Sequence, residues 1–123
     1  MIVLDTSILI DALGGSKRSA PALRAAIAEG NRLLLPALVL YEWLRGPRVE
    51  PELEAQEALV PTARAIPFGP AEARVAAELY GTVGRARGRE IDIAIAAHSI
   101  TRDAELWTLN RADFEDLPAL RLR

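Results

Sequence analysis

The chain has 123 residues, of which 50% are hydrophobic and 26% charged, with a formal net charge of −2, one histidine and no cysteine. That length fits one domain, residues 1–123, with enough chain to bury a core, and so apolar and weakly charged a composition excludes disorder. Without cysteine there can be no disulfide scaffold, thiolate metal site, iron–sulfur cluster or thiol nucleophile, and His98 alone excludes a multi-histidine metal site.

Ile2–Asp5 opens the chain as an apolar run of strand length. Thr6 or Ser7 can cap the helix that follows, with Ile8, Leu9, Ala12 and Leu13 at helical spacing until Gly14-Gly15 stops it. Pro21–Glu29 reads as a helix with proline in its first turn and Gly30 just past its end. Leu33-Leu34-Leu35 is a second buried strand, broken by Pro36, and Ala37–Arg45 returns to helical spacing before Gly46-Pro47. Glu52–Leu59 reads as a more polar helix and Ala65–Phe68 as a third strand, closed by Gly69-Pro70. A long helix follows over Ala71–Arg85, then a basic, glycine-punctuated connection, Gly84 to Arg89. Ile91–Ile100 is a further helix, Leu106–Leu109 a fourth strand, Asp113–Asp116 a single turn and Leu120–Leu122 a last strand. Strands alternating with helices predict an α/β fold: a three-layer α/β/α sandwich with a central, mostly parallel sheet.

Open parallel sheets bind ligands beyond the carboxyl ends of their strands, so acids there carry the most information. Asp5 ends the first strand, and Asp113 follows the exit of the fourth, Thr108-Leu109-Asn110. Asp92 falls in the first turn of its helix, and Glu42 sits among Tyr41, Trp43 and Leu44 in an apolar helix. At ~5 Å and an effective dielectric of ~20, each pair of such acids repels by roughly 3 kcal/mol. A cluster of this kind persists by retaining protons or by holding a hard divalent cation, and oxygen-only ligands select Mg²⁺ or Mn²⁺. A cation so held activates water and neutralises phosphate oxygens, which is what phosphodiester hydrolysis requires. Each acid also has a plainer reading. Asp5 and Asp113 can be caps, Asp92 an anion serving the helix dipole, and Glu42 a surface glutamate.

Asp5-Thr6-Ser7 after an apolar strand, Glu42 in an apolar helix, the run from Gly88 to Ala97, and Thr108 to Phe114 together resemble the PIN-domain ribonucleases. The likeness is greatest to the VapC-type toxins of bacterial and archaeal toxin–antitoxin pairs, and it spans nearly the whole chain in the family's order. The resemblance implies an α/β/α sandwich and an Mg²⁺-dependent endoribonuclease, with Mn²⁺ able to substitute. On it Asp5 and Asp92 match the main metal ligands, Glu42 the acid that holds metal through water or orients the attacking water, and Asp113 the fourth acid. Thr6, Ser7, Thr108 and Asn110 match the polar residues that orient carboxylates and water. The family often has proline and a second polar residue just before the position of Asp92. Arg89-Glu90-Ile91 stands there instead, adding Glu90 as an outer acid. The implied partners are an RNA substrate, a cognate VapB-like antitoxin and a second copy of the chain in a homodimer.

Arg85, Arg87 and Arg89 are candidate contacts to RNA phosphates or to a partner's acids, or cations at a solvated helix end. Glu115 and Asp116, beside Asp113, read as solvated, and Asp11 as a surface charge. His98 lies about 120° around an ideal helix from Asp92 and reads as structural or exposed, whereas Ser99 returns to the Asp92 side. Trp43, Trp107 and Phe114 read as core or interface. Leu38, Leu44, Ile8 and Leu9 suit either ordinary core or a groove for an antitoxin helix. A phosphatase with Asp5 as nucleophile would need a second aspartate two residues on, where Ser7 stands, and a receiver domain would need a late lysine, whereas the only lysine is Lys17. A PIN-like module that binds RNA or a partner without cutting is the non-enzyme alternative. No apolar run reaches the ~20 residues that cross a bilayer, and Met1–Asp5 lacks the basic and apolar regions of a signal peptide, so a soluble cytoplasmic protein is expected.

Overall fold

The computed structural model describes residues 1–123. Four short strands, β1 Ile2–Leu4, β2 Leu33–Leu34, β3 Glu105–Trp107 and β4 Arg121–Leu122, form one sheet in the order β2-β1-β3-β4, with every pairing parallel. Parallel neighbours need crossover connections, and helices supply most of them: α1 Thr6–Leu13, α2 Ala20–Ala28, α3 Ala37–Arg45, α4 Glu50–Leu59, α5 Pro70–Thr82 and α6 Glu90–Thr101. The central strand β1 is wholly buried, and its alternating side chains divide the interior. Val3 faces a larger core with Val39 and Trp43 of α3 and Ile93, Ile95 and Ala96 of α6. Ile2 and Leu4 face a smaller one, built with Ile8 and Ala12 of α1 and Leu23 and Ala26 of α2. The result is an α/β/α sandwich, and no helix in it is long and apolar enough to cross a membrane.

Local chemistry explains most helix starts. Proline occupies the first turn of α2, α4 and α5, where its missing N–H is no loss. The carboxylates of Glu52 and Glu72 reach back to accept the Val49 and Gly69 backbone N–H groups at 2.9 and 3.1 Å. Gly30, at φ +91°, supplies the left-handed residue just after α2.

Several expectations change. Residues 65–68 do not form a strand: Ile66 makes one parallel bridge to Pro36, accepting from Ala37 N–H at 2.8 Å and donating to the Leu35 carbonyl at 2.9 Å. Pro36 and Pro67 lack the N–H groups a longer ladder would need. Helix α5 ends at Thr82 rather than Arg85, because the Thr82 hydroxyl turns back onto the carbonyls of Glu78 and Leu79 and Val83 is already extended. Helices α4 and α6 begin two residues and one residue before their expected starts. Helix α6 is buried without interruption from Ile93 to Ser99, so Asp92 is an acid at the mouth of a buried helix.

Candidate active site

The parallel register decides where the first acid stands. Leu4 of β1 pairs with Trp107 of β3, so the next residues, Asp5 and Thr108, emerge side by side at the carboxyl edge of the sheet. Asp5 N–H donates to the Trp107 carbonyl at 3.0 Å, and its side chain is only 4% exposed as a residue. Although Asp5 occupies the N-cap position of α1, its carboxylate makes no capping bond. It accepts instead from Thr108 Oγ1 at 2.7 Å and Ser7 Oγ at 2.9 Å, both on Oδ2. The two hydroxyls lie 3.2 Å apart, and Ser7 Oγ also accepts the Leu109 N–H at 3.0 Å. Two donors on one oxygen fix the carboxylate plane and leave Oδ1 turned away from the clamp.

Glu42 comes to this edge on α3. Thr6 Oγ1 donates to its Oε1 at 2.6 Å and Arg45 Nη2 to its Oε2 at 3.4 Å, so the residue after Asp5 holds the second acid. Asp92 enters from the first turn of α6 and is half-buried. Its carboxyl is raised to about 6 by burial first, then by the negative charges of Asp5, Asp113 and Glu42. Arg89 acts in the opposite direction. Asp92 therefore senses the charges of the three other acids singled out in the sequence. Asp113 itself is exposed, at the end of a single 3-10 turn, Arg111–Asp113, that follows β3.

The remaining residues divide. Asn110 contributes its backbone N–H, to Thr108 Oγ1 at 2.9 Å, rather than its side chain. Arg85 and Arg87 are exposed in the turn before α6, Arg85 with a left-handed φ of +67°. Arg89 is different: its guanidinium grips Asp116 through both nitrogens at 2.9 and 2.6 Å and donates to the Asp113 carbonyl at 2.9 Å. Asp116 is therefore paired rather than free in solvent, while Glu115 is exposed. Glu90 turns back to accept the Gly88 N–H at 3.0 Å, which holds its carboxyl below the usual range. Asp11 is partly buried and bonded by Ser19. His98 is fully buried, edge-on to Phe68 with ring centres 5.8 Å apart, and burial and the Arg102 charge lower it to about 4. Ser99, Trp43 and Phe114 are buried, and Trp107 is partly so.

Every donor at this edge is oxygen, the chemistry that hard divalent cations take. The acids do not close into a cage, since no three of them stand close enough to enclose an ion unaided. A cation held here would be bound through one or two carboxylates with water completing its shell. A cation held beside Asp92 would offset the neighbouring negative charges that, after burial, raise its carboxyl.

A parallel α/β/α sandwich with acids gathered where β1 and β3 end defines a class of carboxylate-centred α/β proteins. The family model for the PIN domain matches residues 2–120, and the chain belongs to the PIN-domain family. It is 33% identical to "Ribonuclease VapC19" of Mycobacterium tuberculosis over 98% of each chain. Its fold is shared with the VapBC2 complex of Rickettsia felis bound to a promoter DNA fragment, at TM-score 0.73 and 24% identity over 100% of this chain and 98% of that one. It is shared equally with the DNA-bound VapBC of Salmonella typhimurium, at TM-score 0.75 and 19% identity over 99% and 96%.

Proposed function

We propose that this chain is a metal-dependent endoribonuclease, the toxin of a toxin–antitoxin pair, that hydrolyses RNA phosphodiester bonds at the carboxyl edge of its sheet. The observation that carries the reading is the pair of fastened acids at the carboxyl edge of the sheet, Asp5 clamped by Thr108 and Ser7 and Glu42 held by Thr6, with the half-buried Asp92 entering from the first turn of α6. Family membership and a relative that is a ribonuclease support it. Asp5 and Asp92 would hold a divalent cation, Mg²⁺ or Mn²⁺. When bound, that cation supplies activation of water and neutralisation of charge on phosphate oxygens. The Thr108 and Ser7 hydroxyls hold the Asp5 carboxylate in its orientation. Glu42, held through Thr6, orients the attacking water and accepts its proton, and Asp113 completes the acidic rim. The partners of this reading are an RNA substrate, as for the ribonuclease relative, a VapB-like antitoxin chain, as in the VapBC complexes that share the fold, and, on the family resemblance alone, a second copy of the protein.

The test is cleavage of a mixed pool of structured RNAs by purified, antitoxin-free protein with Mg²⁺, Mn²⁺ or chelator. Asp5→Asn and Asp92→Asn proteins run in parallel, since each removes a ligand charge with almost no change in volume. Cation-dependent cutting lost in both variants supports the proposal. Cutting that survives both substitutions overturns the site, and a folded protein that binds RNA without cutting it turns the reading to a binding module.

A further inference from the structure

Arg89 stands at the N-cap of α6, three residues before Asp92, and its side chain spans from that helix to the turn that carries Asp113. The reach is specific in its geometry. Nη1 and Nη2 fork onto the two oxygens of Asp116, and Nη2 also donates to the backbone carbonyl of Asp113 itself. The Arg89 side chain as a whole is 19% exposed, while its bonds to Asp113 and Asp116 lie at the surface. A planar fork with three bonds to one short segment fixes both the distance and the orientation of that segment, which a lysine cannot do. The segment has little regular structure of its own: one 3-10 turn, then Phe114 and Leu117 tucked into the core. Arg85 and Arg87, four and two residues earlier, make no such contacts and stay exposed.

We propose that Arg89 is a positioning residue, a strap that ties the start of α6 to the 113–116 turn and so holds Asp113 in register with Asp92, rather than a contact for RNA. The inference rests on the nuclease reading above for what the register is for. It assigns Asp116 the role of anchor, outside the acidic centre itself.

The experiment is single-turnover RNA cleavage in Mn²⁺ by wild type, Arg89→Ala, Arg89→Lys, Asp116→Ala, Asp113→Asn and the Arg89→Ala/Asp113→Asn pair. Amide hydrogen exchange over residues 110–116 is followed on the same proteins. Arg89→Ala is expected to lower the maximal rate about 10–100-fold, the usual effect of removing an orienting partner. The half-saturating RNA concentration stays where it was. Asp116→Ala moves the rate in the same direction, and Arg89→Lys, which keeps the charge and loses the fork, stays closer to Arg89→Ala than to wild type. Added to Asp113→Asn, the Arg89 substitution changes the rate less than about threefold, because its effect runs through Asp113. Exchange in 110–116 quickens in both Arg89 variants.

Full activity in Arg89→Ala, complete rescue by lysine, or unchanged exchange overturns the strap. So does a raised half-saturating RNA concentration at full rate, which would mark a substrate contact. If Asp113→Asn is too slow to follow, the lysine comparison and the exchange decide. If wild type itself does not cleave, the nuclease reading fails, while the exchange data still say whether Arg89 anchors the turn.

Discussion

Replacing Asp92 by asparagine should stabilise the protein in the absence of divalent cations. In the folded chain its carboxyl is raised from the ordinary 3.8 to about 6 by burial and by Asp5, Asp113 and Glu42. An acid whose folded value is raised favours the native state fully below its unfolded value, and that advantage is lost as pH rises through about 6. The whole interval corresponds to about 3 kcal/mol at 1.36 kcal/mol per pH unit, and partial exposure reduces it to about 1–2 kcal/mol. The asparagine side chain carries no such penalty. At pH 8 in chelator, Asp92→Asn should therefore melt above wild type by about 3–10 °C for a chain of this length. The gap should close toward pH 4. With millimolar Mg²⁺ the order narrows or reverses, because wild type gains the ligand's binding energy and the variant gains less. Circular dichroism melts between pH 4 and 8, with chelator and with Mg²⁺, measure all of this. An asparagine variant no more stable than wild type at pH 8 in chelator would refute the reasoning, for it would mean that neither burial nor the neighbouring acids penalise the ionised Asp92.

Three further outcomes are expected. Thr108→Val removes the 2.7 Å donor to Asp5 and should lower RNA cleavage about 10–100-fold while costing about 1–2 kcal/mol of stability, read by kinetics and denaturant melts on one sample. His98, lowered to about 4, contributes stability present above 6.5 and lost as pH falls through 4, about 3 kcal/mol in all, and His98→Leu should flatten that acid limb. The His98 and Asp92 slopes oppose each other between about 4 and 6, so each is read from its own variant and not from wild type alone. Trp43→Ala should cost about 3–5 kcal/mol, since the ring is fully buried and carries the Arg48 guanidinium 4.1 Å from its centre, and urea unfolding checks it.

The fold was legible where one element announces itself. An apolar run meeting Asp-Thr-Ser, a proline at each of three helix starts and the long apolar stretch after Asp92 give β1, the helices and their order without any tertiary information. The Ala65–Phe68 expectation failed because period and composition say nothing of what lies alongside, and here the neighbour is Pro36. Asp5, Asp92 and Asp113 could be singled out because strand ends and helix starts can be read from the chain, and Glu42 because it interrupts an apolar helix. Their fastenings were not. Thr6 meets Glu42 across 36 positions, Thr108 meets Asp5 across 103 and Arg89 meets Asp116 across 27, separations that leave no periodic trace. For the same reason Arg89 reads as one more cation in a basic run with Arg85 and Arg87. Asp116 reads as a surface acid, and the buried pairing of Arg102 with Glu72 at 2.8 Å beside His98 leaves no signal at all.

The most direct test is to titrate Mn²⁺ into the purified protein and follow bound ion by electron paramagnetic resonance and RNA hydrolysis in the same samples. Hydrolysis should rise in step with occupancy of the bound ion, and both should vanish together in Asp5→Asn and Asp92→Asn. Hydrolysis that is complete before any ion is held, or ion binding that both variants keep, would contradict it.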